Sequence, residues 1–289
     1  MLDLTTLFCL VDDFCQNFEL QWNKKLLPHI SSRGPKCSLN LSEIITILIL
    51  FHQSNYRTFK HFYFNFKETF LEAFPRLPSY NRFVELKQRA FVPLFAYLLS
   101  RKGEITGISF IDATSIAVCK NKRITRNKVF KGLAKRGKTT AGWFYGFKLH
   151  LIVNDKGEIL SFLLTPGNIS DVKVAEILSK GIFGKLYGDK GYISNSLFKK
   201  LYKQGLELFT TFRSNMKNKF LSLGDKVLLR KRSIIETVND QLKNISQIEH
   251  SRHRSVTNFF VNLLAGLVAY THQQKKPSIN FKNQLTTCS

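Results

Sequence analysis

Acidic residues are scarce in this 289-residue chain, because only 20 Asp and Glu oppose 44 Lys and Arg and leave a formal charge of +24. Cysteine is also scarce, and the five cysteines show no C-x-x-C spacing, which argues against a zinc site or a disulfide framework and fits a reducing cytosol. The apolar runs are too short to span a bilayer, and no basic signal-peptide region begins the sequence. These absences exclude membrane proteins and secreted scaffolds, and they predict a cytoplasmic protein with a polyanionic partner.

The apolar content is ordinary, with 44% hydrophobic residues, and 26 Phe help to raise the aromatic share to 13%. A chain of this composition buries a normal core and is not a disordered basic tail. Its length suits one large domain, or a catalytic domain with a smaller helical one.

The positive charge is concentrated in the second part of the chain. Residues 1–100 hold 11 basic and 8 acidic residues, a net of +3, whereas residues 101–289 hold 33 and 12, a net of +21. Residues 120–138 contain nine Lys and Arg and no carboxylate, and residues 213–232 contain seven. One such run is usually a solvated loop, but two in one region predict a surface for a nucleic-acid backbone. The predicted contacts are Lys120, Lys122, Arg123, Arg126, Lys128, Lys131, Lys135, Arg136, Lys138, Lys190 and Arg213.

The first hundred residues have a helical pattern. Apolar side chains recur at helical spacing from Leu4 onward, Ser42 is the predicted cap of a helix that reaches Phe51, and Ser79 is the predicted cap of another. Successive short helices of this kind are compatible with a helix-turn-helix DNA reader and equally with a plain bundle. We expect an all-helical domain over residues 1–103.

From Gly107 the pattern changes to strands rich in β-branched residues, with a hairpin turn at residues 154–157. The predicted order is three meandering strands followed by alternating helices and strands, which is an α/β fold with a mixed five-stranded sheet flanked by helices. We expect this domain over residues 104–289, including the C-terminal helices. The strands are predicted at residues 108–118, 144–153, 158–164, 185–188 and 206–212.

Three carboxylates occupy special positions in this pattern. Asp112 lies in the middle of the first strand, where an ionised carboxylate is costly unless it is paired or binds a metal. Asp189 directly follows a strand, and ligands gather at the carboxyl ends of strands in open sheets. Glu236 lies on a later helix. Taken singly, these residues are a structural Asp, a turn and a solvated helix face, but together they can converge on divalent metal.

On a regular helix, Arg232, Glu236 and Lys243 fall within roughly 40° of one another. The simpler interpretation is an Arg232–Glu236 ion pair four residues apart. If the three carboxylates converge, oxygen ligands select Mg²⁺ or Mn²⁺, and two such ions can drive an in-line phosphoryl displacement. Arg232 and Lys243 then contact phosphates, and Arg can do so bidentately.

The motifs together resemble those of bacterial insertion-sequence transposases of the DDE type, which have a ribonuclease H-like catalytic core, and in particular the branch called IS nine-eighty-two. Any one motif is weak, but their order and spacing are specific. The resemblance is carried by Phe-Ile-Asp-Ala-Thr (110–114), Gly-Phe-Lys-Leu-His (146–150), Thr-Pro-Gly-Asn-Ile-Ser-Asp (165–171), Gly-Asp-Lys-Gly-Tyr (188–192) and the spacing Arg232-x3-Glu236-x6-Lys243.

The resemblance implies that Asp112, Asp189 and Glu236 are the catalytic, metal-binding triad, and that Arg232 and Lys243 help at the transposon end. It implies an enzyme that binds the terminal inverted repeats of double-stranded DNA, cleaves 3′ ends and joins them to target DNA with Mg²⁺ or Mn²⁺, in a bacterial cytoplasm and at the nucleoid when bound to DNA. Because two ends must be brought together, we expect a homodimer.

Two departures from related transposases matter. Leu229 occupies a position that carries Tyr in relatives with this signature, and about twenty residues separate the last strand from Arg232, too few for an inserted domain. The route of second-strand cleavage therefore stays open. A structure-selective nuclease or resolvase on the same core, and a domesticated DNA-binding protein without catalysis, are the alternatives.

Three further residues have two interpretations each, and His150 has one. Asp171 is interpreted as a helix-start residue rather than a spare ligand, and His150 as a strand residue near the active face. Tyr192 either touches the substrate or satisfies its hydroxyl within a loop. Trp143 is a core residue by default, with stacking on a base as the alternative.

Overall fold

The computed structural model describes residues 3–25, 38–54, 56–140, 142–211, 221–249 and 253–279. The chain forms two compact units. The helical unit combines residues 1–101 with residues 242–274, and the sheet unit combines residues 102–241 with residues 275–289. In the described part of the chain, no helix is both long and apolar enough to cross a membrane.

The elements follow one another in a helical, then a mixed, then a helical region. The helices are α1 (Leu4–Lys25), α2 (Leu41–Gln53), α3 (Phe59–Thr69), α4 (Tyr80–Leu86), α5 (Phe91–Ser100), α6 (Asp171–Leu178), α7 (Asn195–Lys203), α8 (Leu223–Lys231), α9 (Ser233–Asp240) and α10 (Val256–Thr271). The strands are β1 (Ile108–Cys119), β2 (Lys135–Thr139), β3 (Gly142–Asn154), β4 (Ile159–Pro166), β5 (Gly184–Gly188) and β6 (Leu206–Thr210). Turns of 3-10 helix cover Lys87–Ala90, Asn121–Arg126 and Lys190–Tyr192, and Gln241–Ile245 is a π-helix.

Capping residues set where the helices of the helical unit begin. The predicted cap Ser79 accepts a hydrogen bond from the Arg82 amide at 3.4 Å, as expected. The predicted cap Ser42 is wrong, because this residue is buried inside α2. Asn40 caps α2 instead, and its amide donates to the Glu43 carboxylate at 2.6 Å. This reciprocal arrangement satisfies amides that the first turn leaves unpaired.

α10 is the central helix of the helical unit. Residues 261–272 are all buried, and the helix packs against α2 and α5. A helix that is apolar on every side needs neighbours all round, and other helices supply them. At Gly266 a Cβ would come within 2.4 Å of Ile248, so glycine permits a close approach here. The structure thus groups residues 242–274 with the helical unit, whereas the sequence pattern placed all C-terminal helices with the sheet.

The sheet of the sheet unit is mixed and has six strands in the order β2-β3-β1-β5-β6, with β4 also paired to β3. β1 is antiparallel to β3 along one edge of β3. β2 and β4 share the other edge of β3: β2 pairs with residues 142–146, and β4 pairs with residues 147–153. β1 is parallel to β5, and β5 is parallel to β6. The predicted α/β fold, ribonuclease H-like with helices beside a mixed sheet, is confirmed. β2 is the additional strand, hidden in the sequence because its residues form part of the basic run.

The two faces of the sheet meet different helices. Successive side chains of a strand point to opposite faces, so Ile111 and Asp112 have different surroundings. Ile111 belongs to the apolar cluster that joins the sheet to α6 and α7. The opposite face carries Phe110, Tyr187 and Phe209, whose rings stack with centroid distances of 5.6 and 5.2 Å, and α8 and α9 pack on the strands there.

One buried carboxylate fixes α8 to the sheet. Asp225 is 6% exposed and accepts hydrogen bonds from Lys185 Nζ at 2.7 Å, Tyr187 Oη at 2.8 Å and Ser222 Oγ at 2.5 Å. Although burial raises the pKa of Asp225, the hydrogen bonds from Lys185, Ser222 and Tyr187 outweigh it and lower the pKa. The start of α8, and with it the approach to α9, is therefore tied to β5.

Replacing Asp225 by Ala is expected to lower the free energy of unfolding by roughly 2–4 kcal/mol, because Tyr187 and Lys185 both lose their acceptor. Glu176→Ala is the control, since its ion pair with Lys200 (2.7 Å) lies on the surface and contributes at most about 1 kcal/mol. Urea denaturation of both variants measures the difference. Equal losses in the two variants would contradict an anchoring role for Asp225.

Candidate active site

The pairing of β1 with β5 brings two of the predicted carboxylates together. The parallel register runs from Ile108 opposite Lys185 to Phe110 opposite Tyr187. Two places further along, the same register sets Asp112 beside Asp189, with a strand spacing of about 4.8 Å. The residues that precede the two acids fit the same register, because a Cβ added at Gly188 would lie 3.0 Å from the Ile111 side chain.

The Asp112 carboxylate accepts a hydrogen bond from Asn239 Nδ2 of α9 at 2.9 Å. Burial raises the pKa of Asp112 to about 6, and the charges of Asp189 and Glu236 push it in the same direction, while the Ala113 amide and the Arg232 charge lower it. Asp189 and Glu236 therefore both lie within electrostatic reach of Asp112.

Glu236 reaches the site from α9, and its Oε1 lies 2.7 Å from Arg232 Nη2. The sequence offered this ion pair as the simpler interpretation of the two residues, and the pair exists. It lies beside the other acids, since the Arg232 charge acts on Asp112. Arg232 occupies the junction between α8 and α9, where the helix breaks.

Asp189 directly follows β5 and is the N-cap of the 3-10 turn Lys190–Tyr192. Its Oδ1 accepts a hydrogen bond from the Gly191 amide at 2.8 Å. Each of the three acids thus has a partner of its own within the protein: Asn239 for Asp112, the Gly191 amide for Asp189 and Arg232 for Glu236.

The donor set fits a hard divalent cation. Among the residues that the structure describes, no three His, Cys, Asp or Glu side chains lie close enough together to hold a metal ion as they stand. Three carboxylates nonetheless supply the oxygen ligands that Mg²⁺ and Mn²⁺ prefer. Burial is the main cause of the raised pKa of Asp112, and the charges of Asp189 and Glu236 add to it; a bound cation would offset both effects.

A family model described as a transposase DDE domain matches residues 102–256, more than half of the chain. The chain belongs to the DDE transposase family. The matched segment contains the whole sheet with α6 to α9, and so all three acids of the site. A comparison with curated proteins found no match.

Asn239 contacts the candidate site through Asp112, which the sequence did not reveal. It lies three positions after Glu236 on α9, and its amide nitrogen is bonded to Asp112. Its Oδ1 is buried and has no hydrogen-bond partner among the described residues. Nothing in the sequence marks an asparagine on a helix as the partner of an aspartate on a distant strand.

Tyr192 belongs to the apolar cluster that joins the sheet to α6 and α7. This is the face of the sheet opposite to the one on which α9 packs. Its hydroxyl is buried and finds no hydrogen-bond partner in the described part of the chain. Burial raises its pKa well above the usual value, and the charges of Asp112 and Asp171 add to the effect. Of the two interpretations offered by the sequence, satisfaction of the hydroxyl within its loop finds no partner among the described residues, and contact with the substrate stays a prediction.

Asp171 stands in the first turn of α6, as predicted, after the cap Ser170. Its carboxylate lies 3.0 Å from Lys148 Nζ and 3.7 Å from His150 Nδ1. His150 is buried, and burial lowers its pKa to about 4, so the ring is neutral near pH 7. The other ring nitrogen, Nε2, lies 2.9 Å from Thr165 Oγ1.

Lys243 departs from its expected geometry. The prediction assumed one regular helix, but the chain breaks at Arg232 and continues as a π-helix from Gln241, which changes the angle between successive side chains. Lys243 belongs to the helical unit, where its Nζ lies 3.2 Å from Glu249. Its role at the transposon end stays a prediction.

The predicted DNA contacts in residues 120–138 are all on the surface. We call residues 120–143 the basic arm: it comprises the turn Asn121–Arg126, β2 and the start of β3. Each of its nine Lys and Arg is exposed, as is Lys190. Arg213 lies outside the described residues. The exposed residues are Lys120, Lys122, Arg123, Arg126, Lys128, Lys131, Lys135, Arg136 and Lys138.

Asn239→Ala is expected to destabilise the protein by roughly 1–3 kcal/mol at about pH 8, where ionised Asp112 loses its donor. At about pH 5 the loss is expected to be smaller. The pKa of Asp112 in the folded state is about 6, above the ordinary 3.8, so Asp112 is mostly protonated at about pH 5 and needs the donor less. Because the folded protein binds this proton more tightly than the unfolded chain, protonation adds stability as the pH falls from 6 towards 4. Urea denaturation at the two pH values measures the effect. In an Asp112→Asn background the pH difference should vanish, and its persistence would contradict the assignment to this pair.

Proposed function

We propose that this DDE transposase binds the terminal inverted repeats of an insertion sequence, cleaves their 3′ ends and joins them to target DNA. The observation that supports the proposal is that the charges of Asp189 and Glu236 both act on the buried Asp112, in an otherwise strongly basic region. Cleavage and joining are both in-line displacements at phosphorus, so one site serves both steps.

Asp112 and Asp189 would hold divalent metal from adjacent strands, and Glu236 would do so from α9. When bound, two Mg²⁺ or Mn²⁺ ions activate a hydroxyl nucleophile and stabilise the leaving oxygen. Asn239 holds the Asp112 carboxylate through its amide. Arg232, kept in place by Glu236, offers a planar guanidinium that binds phosphate oxygens bidentately.

The basic arm is assigned to the DNA backbone. β1 leads from Asp112 directly to Lys120, eight positions away, which corresponds to roughly 25 Å of extended strand. Along a duplex this distance is about seven base pairs. The arm therefore binds DNA well away from the cleaved phosphate, and Lys190 binds close to it. Arg213 and Lys243 complete the proposed contacts.

The remaining roles follow from the reaction. We assign catalysis to the sheet unit, and DNA binding and dimerisation to the helical domain of residues 1–103, because two transposon ends must be held together. Reaction on DNA places the enzyme in the cytoplasm, at the nucleoid.

Asp112→Asn, Asp189→Asn and Glu236→Gln are each expected to reduce Mg²⁺- or Mn²⁺-dependent cleavage and joining of end DNA at least 100-fold, because each removes one charged ligand. Cleavage of labelled end DNA is followed on denaturing gels, and joining is followed with a plasmid target. DNA binding without metal should be retained.

Asp155→Asn and Glu176→Gln are the matched controls, since both acids belong to the sheet unit but lie apart from the site and bond to Thr106 and Lys200. Full activity in any of the three triad variants would refute the triad. Cleavage without joining would favour a nuclease or resolvase, and binding without metal-dependent chemistry would favour a domesticated DNA-binding protein.

Neutralising three cations of the basic arm, Lys122→Gln, Arg123→Gln and Arg126→Gln, is expected to flatten the slope of log K against log salt by up to about three. Fluorescence anisotropy of duplex DNA at several salt concentrations measures the slope. The control is the same charge change on α7, at the exposed residues Lys199, Lys200 and Lys203. Equal flattening in both triple variants would show that the arm is not a dedicated DNA surface.

A further inference from the structure

Trp143 stands out among the aromatic residues of the sheet unit. It is one of two tryptophans in the chain and is 61% exposed, so the default assignment to the core is wrong. A large apolar ring in water is normally disfavoured, and such rings often mark a binding site.

The backbone that carries Trp143 is firmly held. Its carbonyl accepts a hydrogen bond from Asn121 Nδ2 at 2.8 Å, and the residue pairs with Lys138 across the β2–β3 hairpin. At the next pair, Thr139 Oγ1 donates to the Gly142 carbonyl at 3.2 Å. The ring is therefore presented from a fixed position, which lowers the entropic cost of ordering it on a ligand.

The surroundings of the ring are strongly positive. Residues 120–143 contain no carboxylate, and Lys138 Nζ lies over the ring, 5.8 Å from its centroid. Lys135 and Arg136 are exposed on the same strand. This combination repels a basic partner and suits one with both a negative backbone and an aromatic face, which is the chemistry of a nucleotide.

We propose that Trp143 is a stacking platform for an unpaired or unstacked DNA base, while Lys138 binds the adjacent phosphate. The inference rests on the proposed function of the basic arm. Because Tyr145 pairs with Cys119 at the end of β1, Trp143 lies beyond that end, roughly 25 Å from Asp112. The stacked base is thus several base pairs away from the cleaved phosphate.

The test uses the Trp22→Phe protein, in which Trp143 is the remaining tryptophan. Two mixed-sequence duplexes serve as probes, identical except for one unpaired adenine in the second, and divalent metal is removed with EDTA. We expect the bulged duplex to quench the Trp143 emission and to bind roughly ten-fold more tightly than the paired duplex. Trp143→Ala, made in the wild-type chain and followed by anisotropy, should lose this preference, whereas Trp143→Phe should keep part of it.

Tyr202→Ala is the control, because Tyr202 is 66% exposed on α7 of the same unit. It should leave the preference unchanged, and thermal melting should be unaltered in both alanine variants. Equal binding of the two duplexes by the Trp22→Phe protein, or a preference that persists in Trp143→Ala, would overturn the proposal. A shift of Trp143→Ala to a smaller assembly without DNA, with the preference intact, would also overturn it by assigning the ring to a protein interface. Because no metal is present, these outcomes are independent of the catalytic triad, which the cleavage assay tests separately.

Discussion

The parallel pairing of β1 with β5 is the interaction on which the site depends. Its register sets two carboxylates side by side, an arrangement that their charges oppose. The opposite face of the same strands is apolar and is covered by α6 and α7. Burial of that face holds the register, and Gly188 allows Ile111 and Tyr192 to approach closely beneath the acids. Burial, with a smaller contribution from the charges of Asp189 and Glu236, raises the pKa of Asp112, and a divalent cation would offset both effects.

The other acids of the sheet unit show how unusual this arrangement is. Asp225 is paired with Lys185, Asp171 with Lys148 and Glu176 with Lys200. In a region with 33 basic and 12 acidic residues, a carboxylate readily finds a cation. At the site, by contrast, Arg232 pairs with Glu236 and its charge acts on Asp112, while the Asp189 carboxylate accepts a hydrogen bond from the Gly191 amide. Under the proposed function, the excess of positive charge around this acidic site attracts the polyanionic substrate.

Local patterns in the sequence were sufficient to predict much of the fold. The β-branched run of β1, the hairpin before β4 and the cap Ser79 are all properties of adjacent residues, and each prediction is confirmed. β2 was missed because alternating Lys and Arg resemble a solvated loop until a partner strand is known. Asn239 was missed because its significance lies in a contact with Asp112, 127 positions away. The π-helix that displaces Lys243 likewise has no signature in the sequence.

The length of β1 connects the candidate active site to the basic arm. β5 ends at Gly188, just before Asp189, whereas β1 continues from Asp112 to Cys119 with β3 as its partner and leads into the basic arm. A register shift between Ala117 and Cys119 marks an irregularity near its end, of the kind that increases strand twist. One continuous strand thus carries Asp112 at its middle and leads into the basic arm at its end. The spacing between the two is set by covalent geometry and a β-ladder, so under the proposed function a contact of the arm with a particular base pair fixes which phosphate reaches the acids.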